Sequence, residues 1–180
     1  MGVRWVPAVA DASTVTQLSL IGEIAEACRG AGIRFWLRGG WALDFLTGEV
    51  TRSHSDVDVV TWARHAARIQ GLLGSHGYQI VEVHAPTAID FSKNGQAVGI
   101  VFIKRDVEGR IVTPGTEWDW PRPAGGFGDR VQRLQGVACR VMTPEALLEE
   151  KEQYERRRGH PLRPKDRDSI TRLRAMLSVR

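Results

Sequence analysis

The chain has 180 residues, of which 42% are hydrophobic and 26% are charged, and this composition is typical of a globular domain. No run of about 18 apolar residues occurs, which excludes a membrane-spanning helix, and the N-terminus lacks the apolar core of a signal peptide. We therefore expect a cytoplasmic protein without a membrane contact. The two cysteines, Cys28 and Cys139, lie in no metal-binding spacing, so we expect reduced thiols and no zinc site.

The first part of the chain predicts helices that alternate with strands. Apolar residues at helical spacing after a Ser/Thr cap predict a helix over residues 13–29, which the sequence GAG ends. The apolar run IRFWL predicts a strand over residues 33–37, followed by a glycine pair and a short helix, WALDFLTG. Residues 55–60 alternate between polar and apolar, as a half-buried strand does, and the next helix ends at Gly77.

The second part of the chain predicts more strands and then two closing helices. Strands are expected at residues 78–83, 88–92 and 97–103, and Asn94-Gly95 joins the last two as a hairpin turn. RIVTP is a candidate strand, WDWPRPAGGFGDR a loop and QGVACRVM a strand. TPEALLEEKEQYERRR is predicted as a helix capped by Thr143, and PKDRDSITRLRAML as the last helix.

These elements predict an α/β chain of the α+β type. Its twisted mixed sheet of about five strands should carry the helices mainly on one face and the acidic residues on the open face. We expect a core with the N-terminal helix over residues 1–142 and a helical segment over residues 143–180 that packs on this core. The sequence leaves open whether the chain is a monomer or a homodimer.

Two aspartates on one strand indicate a metal site. Asp56 and Asp58 are two residues apart, so both point to one face of the strand while Val57 and Val59 point to the other. Two neighbouring carboxylates repel each other unless a cation lies between them. Hard oxygen ligands on a rigid strand suit Mg²⁺ shared with a substrate phosphate.

The glycine pair Gly39-Gly40 lies between a strand and a helix. Glycine lets an anion approach the backbone N–H groups closely, and the start of a helix favours negative charge. An ordinary strand-to-helix turn has the same sequence, so the pair alone does not decide. Arg38 precedes it, either as a bidentate partner of a triphosphate or as an exposed charge at the strand end.

The combined stretch WLRGGWALDFLTGEVTRSHSDVDVV resembles the nucleotidyltransferase superfamily that includes DNA polymerase beta. Within it, the GGWALD turn and the TRxHxDxD strand entry resemble the aminoglycoside 2''-adenylyltransferases and the lincosamide nucleotidyltransferases. The resemblance covers about residues 31–177. It implies transfer of a nucleoside monophosphate from Mg²⁺-bound NTP, expected to be ATP, to a hydroxyl group of a small molecule, with release of pyrophosphate.

The resemblance also implies roles for single residues. Gly39 and Gly40 would cradle the β- and γ-phosphates, and Asp56 and Asp58 would hold the metal ions. We add Lys165, from the basic C-terminal segment, to the expected nucleotide-binding residues.

Four further residues of this stretch have structural alternatives. Arg52 would contact a phosphate or form an ion pair with Asp44, and we slightly favour the ion pair. His54 is expected to fix the strand entry. Trp36 and Trp41 are expected in the core rather than against a nucleotide base.

The family usually carries a third carboxylate in a later strand that reads like VDxH. Here the corresponding residues read VGIV, with Gly99 where the acid is expected. A two-residue turn at Asn94-Gly95 would pair Asp90 with Gly99 across the hairpin, so we expect Asp90 to supply the third carboxylate. A register slip of one residue would turn it to the other face. Asp106 and Glu108 are the next candidates, in a turn beyond the strand.

Three functions remain open at this point. The leading one is an O-nucleotidyltransferase for an aminoglycoside- or lincosamide-like molecule. Its acceptor loop would offer Glu117, Asp119 and Asp129 with Trp118 and Trp120. The second is a nucleotidyltransferase that modifies RNA or protein, for which the C-terminal cations would contact phosphates: Arg156, Arg157, Arg158, Arg163, Lys165 and Arg167. The third is a nucleotide-binding relic without catalysis.

Overall fold

The computed structural model describes residues 11–115, 120–158 and 161–179 of the chain. Its first half forms α1 (Ala12–Gly30), β1 (Phe35–Leu37), α2 (Gly39–Thr47), β2 (Asp56–Trp62), a 3₁₀ turn (Ala63–His65) and α3 (Ala66–Ser75). Three strands follow: β3 (Gln79–His84), β4 (Ala88–Lys93) and β5 (Gln96–Arg105). The remainder forms β6 (Ile111–Thr113), β7 (Trp120–Arg122), a 3₁₀ turn (Ala124–Gly126), β8 (Val131–Leu134), β9 (Val137–Arg140), α4 (Pro144–Arg158) and α5 (Pro164–Ser178).

The central sheet is mixed and has the strand order β1-β2-β5-β4-β3. Strands β2 and β5 are parallel, and the other neighbours in this order are antiparallel. Strands β6 and β7 extend the sheet from the end of β5, so seven described strands belong to it. The predicted mixed sheet of about five strands is thus confirmed as the central part of a larger sheet.

The hairpin between β4 and β5 has the predicted register. Asn94 and Gly95 form the two-residue turn, both with positive φ, as a primed hairpin turn requires. Six residue pairs define the hairpin, from Lys93 with Gln96 next to the turn to Ala88 with Val101, and one of them is Asp90 with Gly99. Asp90 therefore lies directly opposite the glycine and on the same face of the sheet.

One face of the sheet is covered by α1, which contacts β2 and β5 and packs against α3. Val57 and Val98 are completely buried on this side. Since side chains alternate along a strand, their neighbours Asp58 and Gly99 point to the opposite face. The predicted separation of the helix-covered face from the acidic face is therefore observed, although α4 and α5 reach the acidic face near Asp58.

The C-terminal helices α4 and α5 pack against each other. Thr143 caps α4, as predicted, because its Oγ1 accepts a hydrogen bond from the N–H of Ala146. Between the helices, Lys151 Nζ on α4 lies 3.0 Å from Asp166 Oδ1 on α5. This ion pair is nearly buried and fixes the two helices relative to each other.

Some local predictions were wrong. Helix α1 is capped by Asp11, whose side chain accepts a hydrogen bond from the N–H of Thr14, rather than by a Ser or Thr. The predicted single strand QGVACRVM is one arm of the β8–β9 hairpin, which turns at Gln135 and Gly136 with positive φ.

In the described ranges, no helix is both long and apolar enough to cross a membrane.

Candidate active site

Strand β2 presents the two predicted acids side by side on the acidic face. Asp56 is exposed, while Asp58 is partly covered by α4. Burial raises the pKa of Asp58, and the negative charge of Asp56 adds to this effect, while Arg38 opposes it. The ionised form of Asp58 is therefore destabilised in the metal-free protein, as expected for a carboxylate that binds a cation.

Gly39 and Gly40 open helix α2 directly beside Asp58. Gly39 has φ +66, and a Cβ atom on it would lie 2.8 Å from Asp58 Oδ2. Both the backbone conformation and the close approach of the carboxylate require glycine here. The N–H of Arg38 donates to the carbonyl of Asp58 at 3.0 Å, so the glycine turn and the β2 acids form one rigid unit.

A Cβ atom on Gly40 would collide with His54 Nδ1 and would lie 2.5 Å from Arg52 Nη2. The predicted ion pair between Arg52 and Asp44 is wrong. Asp44 Oδ2 is bound by His54 Nε2 at 2.6 Å, and Asp44 Oδ1 accepts from Thr51 Oγ1 at 2.6 Å. The N–H of Thr51 also donates to Asp44 Oδ1 at 3.2 Å. The guanidinium of Arg52 lies at the glycine turn instead, and its Nη1 donates to the carbonyl of Ser53 at 2.9 Å.

His54 has the structural role that was predicted. In addition to the contact with Asp44, its carbonyl accepts a hydrogen bond from Gln17 Nε2 at 3.1 Å. Gln17 also accepts from Trp41 Nε1 at 2.8 Å. Trp36 and Trp41 are buried, as expected of core residues. The buried network thus ties the strand entry to helices α1 and α2.

Asp90 and Asp58 lean toward each other over Gly99. Gly99 is paired with Asp58 on one side and with Asp90 on the other. A Cβ atom on Gly99 would lie 3.4 Å from Asp90 Oδ1 and 3.5 Å from Asp58 Oδ1. The missing side chain leaves space that these two carboxylate oxygens share, although their strands are not neighbours. Asp106 instead binds Arg110 and the N–H of Glu108 in a turn beyond the strand.

A pocket of about 100 Å³ lies between Asp58 and the C-terminal helices. Arg38 forms an ion pair with Glu150 of α4, and Arg122 Nη1 lies 3.3 Å from the same carboxylate. Burial alone would raise the pKa of Glu150, but Arg38 and Arg122 outweigh it and lower this pKa. Lys151 also lines the pocket. The guanidinium of Arg38 is thus directed to α4, so Arg38 is not an exposed charge at the strand end. Its contact with a triphosphate stays a prediction.

Sequence reasoning missed the contribution of α4. Glu150 lies 112 positions after Arg38, and no motif connects the two. A glutamate in a strongly charged helix looks like any solvated residue until the fold brings it to the glycine turn. Lys165 lies outside the set of residues that line the pocket, whereas Arg163 and Asp166 belong to it.

The predicted acceptor loop is only partly within the described residues. Glu117, Trp118 and Asp119 lie outside them, as do the side chains of Trp120, Arg156, Arg157 and Arg158. Asp129 is exposed, and its Oδ1 lies 3.3 Å from Arg34 Nη1.

Two curated proteins are similar to this chain in sequence. A lincosamide resistance protein of Staphylococcus haemolyticus is 42% identical over 52 residues, which are 29% of this chain and 32% of that protein. A 2''-aminoglycoside nucleotidyltransferase of Escherichia coli is 31% identical over 67 residues, 37% of this chain and 38% of that protein. The chain thus matches only about a third of the length of these curated relatives.

The fold has a counterpart among solved structures. The crystal structure of ANT(2'')-Ia in complex with adenylyl-2''-tobramycin has a TM-score of 0.76 at 20% identity, with 90% of each chain covered. The sequence model of the aminoglycoside-2''-adenylyltransferase family matches residues 20–173. The chain therefore belongs to the aminoglycoside-2''-adenylyltransferase family.

Proposed function

We propose that the protein is a Mg²⁺-dependent enzyme that transfers a nucleoside monophosphate, AMP from ATP, to a hydroxyl group of an aminoglycoside- or lincosamide-like antibiotic. One observation carries this proposal. The carboxylates of Asp58 and Asp90 share the space above Gly99, next to a glycine turn that only glycine can form. A cytoplasmic location, where ATP and Mg²⁺ are supplied, is part of the same proposal.

The acidic residues fit a magnesium site by their chemistry. Asp56, Asp58 and Asp90 offer carboxylate oxygens, the hard ligands that Mg²⁺ prefers. The space above Gly99 lets the last two face the same point. Mg²⁺, when bound, would neutralise the triphosphate and polarise the phosphate that is attacked.

The glycine turn fits a triphosphate. The N–H groups of Gly39 and Gly40 lie at the start of α2, where the helix dipole favours an anion. Arg52 adds a cation at Gly40, and its guanidinium is not held by Asp44. We assign phosphate binding to these three residues, and Lys165 remains a further candidate.

Asp90 is assigned the role of the base. Its Oδ1 faces Asp58 over Gly99, while the side chain is 46% exposed and therefore accessible to an acceptor from solvent. In this role, Asp90 Oδ1 accepts the proton of the attacking hydroxyl group. The leaving pyrophosphate would stay at the glycine turn until it dissociates.

We infer the acceptor class from the family and from the names of the two relatives described above. One is called a lincosamide resistance protein and the other a 2''-aminoglycoside nucleotidyltransferase. Modification of RNA is less well supported. Of the cations expected to contact phosphates, Arg163 has a carboxylate partner, Asp166, at 2.7 Å. Two further cations of α5, Arg172 and Arg174, which are not in that set, are paired with Asp168 and Glu152. Paired cations release fewer counterions and contribute less to phosphate binding.

The proposal is tested by incubating the protein with Mg²⁺, ATP and either tobramycin or lincomycin, and by measuring pyrophosphate release and the product mass. We expect AMP addition to at least one acceptor. Asp90→Asn should lower kcat by about 100-fold or more, because it removes base and ligand together. Asp168→Asn is the matched control, since this exposed acid on α5 is paired with Arg172. ATP binding without transfer to any acceptor, bulk RNA included, would instead identify a relic.

A further inference from the structure

A histidine outside the family motif contacts the carboxylate that replaces the missing third acid. His84 lies at the end of β3, and its Nε2 is 3.1 Å from Asp90 Oδ2. The same nitrogen lies 3.6 Å from Glu82 Oε2, which is too long for a hydrogen bond. Because a carboxylate can only accept, the imidazole is the donor in the contact with Asp90.

The register of β3 and β4 explains how His84 reaches Asp90. His84 pairs with Ala88, which is two residues before Asp90 on β4. Residues two apart on a strand share a face, so all three side chains lie on the acidic face. Ala88 carries only a methyl group, and the imidazole can therefore lean diagonally across it to the aspartate.

The two oxygens of Asp90 are consequently engaged on opposite sides. Oδ1 is directed over Gly99 toward Asp58, while Oδ2 is bound by His84. Without His84, this half-exposed side chain could rotate away from the β2 acids. An acid at position 99 would need no such support, since it would stand next to Asp58. An acid on β4 has to lean across about 4.8 Å, the spacing of one strand.

We propose that His84 is a positioning residue, which orients Asp90 so that its Oδ1 reaches the shared space above Gly99. This inference rests on the proposed function, in which Asp90 is the third carboxylate. The chain would then have replaced one residue of the usual motif by two residues on neighbouring strands, an acid on β4 and the histidine on β3 that holds it.

The first test compares His84→Phe with His84→Gln in the transfer assay. Phenylalanine has no donor and should lower kcat about three- to tenfold, the effect of one ordinary hydrogen bond, with an unchanged KM for ATP. Glutamine can donate its side-chain N–H and should restore most of kcat. In an Asp90→Asn background, His84→Phe should cause no further loss. Glu26→Gln is the control and should change kcat less than twofold, since Glu26 is an exposed acid of α1 that is paired with Arg29.

The second test needs no acceptor. The affinity for Mn²⁺ is measured by electron paramagnetic resonance in the presence of an α,β-methylene analogue of ATP. His84→Phe should weaken Mn²⁺ binding several-fold, His84→Gln less so, and Asp90→Asn most. Wild-type Mn²⁺ affinity and kcat in His84→Phe, with both impaired in Asp90→Asn, would overturn the positioning role alone. Unchanged Mn²⁺ binding in Asp90→Asn and absent transfer in the wild type would overturn the proposed function and the positioning role with it.

Discussion

At the scale of single residues, Gly40 shows how tightly neighbouring side chains pack against the glycine turn. The imidazole of His54 cannot retreat from a Cβ atom, because Asp44 holds it in the core, while Arg52 can swing aside. Gly40→Ala should therefore lower the free energy of unfolding by about 1–3 kcal/mol. Gly71→Ala, in helix α3 with no atom near its Cβ position, should raise it by about 0.5–1 kcal/mol. Urea denaturation measures the free energy of unfolding of both variants. Equal changes in the two variants would show that the structure relieves the crowding at Gly40.

Substitution of Asp58 should change the stability and the activity of the protein in opposite directions. Its carboxylate has a raised pKa from burial and from the charge of Asp56, so its ionised form destabilises the metal-free protein at neutral pH. Asp58→Asn should therefore raise the free energy of unfolding, on the order of 1 kcal/mol, while it abolishes transfer. Asp56→Asn, at an exposed position, should abolish transfer with little change in stability. An Asp58→Asn variant with full activity would contradict the metal role of this acid.

At the scale of elements, the β4–β5 hairpin is the part of the site that local sequence defines. Asn94-Gly95 permits a two-residue turn, and that turn fixes which residues face each other. The sequence therefore predicts Asp90 opposite Gly99, and the pairing is observed. No local pattern predicts the role of His84, because its contact with Asp90 depends on the irregular register between β3 and β4 near Ile80 and Glu82.

A transposition of the acid across this hairpin tests the arrangement. In the double variant Asp90→Ser with Gly99→Asp, the serine removes the oxygen that lies 3.4 Å from the new Cβ atom. Asp58 Oδ1, at 3.5 Å, is at ordinary contact distance and need not move. We expect the kcat of the double variant to be about tenfold higher than that of Asp90→Asn, because the carboxylates act as one unit. Single-turnover rates measure this, and no recovery would mean that Asp90 has a role that depends on β4.

At the scale of the whole molecule, long-range contacts limit what the sequence could predict. The strands, the β4–β5 hairpin and the acidic face can be predicted from the alternation of polar and apolar residues and from glycine turns, which are local patterns. The pocket wall from α4 and α5 does not, since Glu150 reaches Arg38 across 112 positions. Arg52 was misassigned for a related reason: the buried Asp44 had two better partners, His54 and Thr51, and a sequence does not rank competing donors.

The attachment of α5 to α4 should depend on pH through Asp166. Its carboxylate lies 3.0 Å from Lys151 Nζ and 2.7 Å from Arg163 Nε. Burial alone would raise the pKa of Asp166, but the hydrogen bonds from Arg163 and Lys151 outweigh it and lower this pKa. A carboxylate with a lowered folded-state pKa stabilises the fold above its ordinary pKa of about 3.9, and this contribution is lost as the pH falls below that value.

Asp166→Asn should therefore lower the free energy of unfolding by about 1–2 kcal/mol at pH 7, because two cations lose their shared partner. The difference from the wild type should shrink as the pH falls from about 4 toward the lower folded-state pKa, since the wild-type carboxylate then becomes neutral as well. Asp168→Asn, which removes an exposed pair with Arg172, should cost less than about 0.5 kcal/mol throughout. Urea denaturation at pH 7, 5, 4 and 3.5 measures both differences. A loss in Asp166→Asn that stays constant down to pH 3.5 would mean that packing of the side chain, not its charge, joins the two helices.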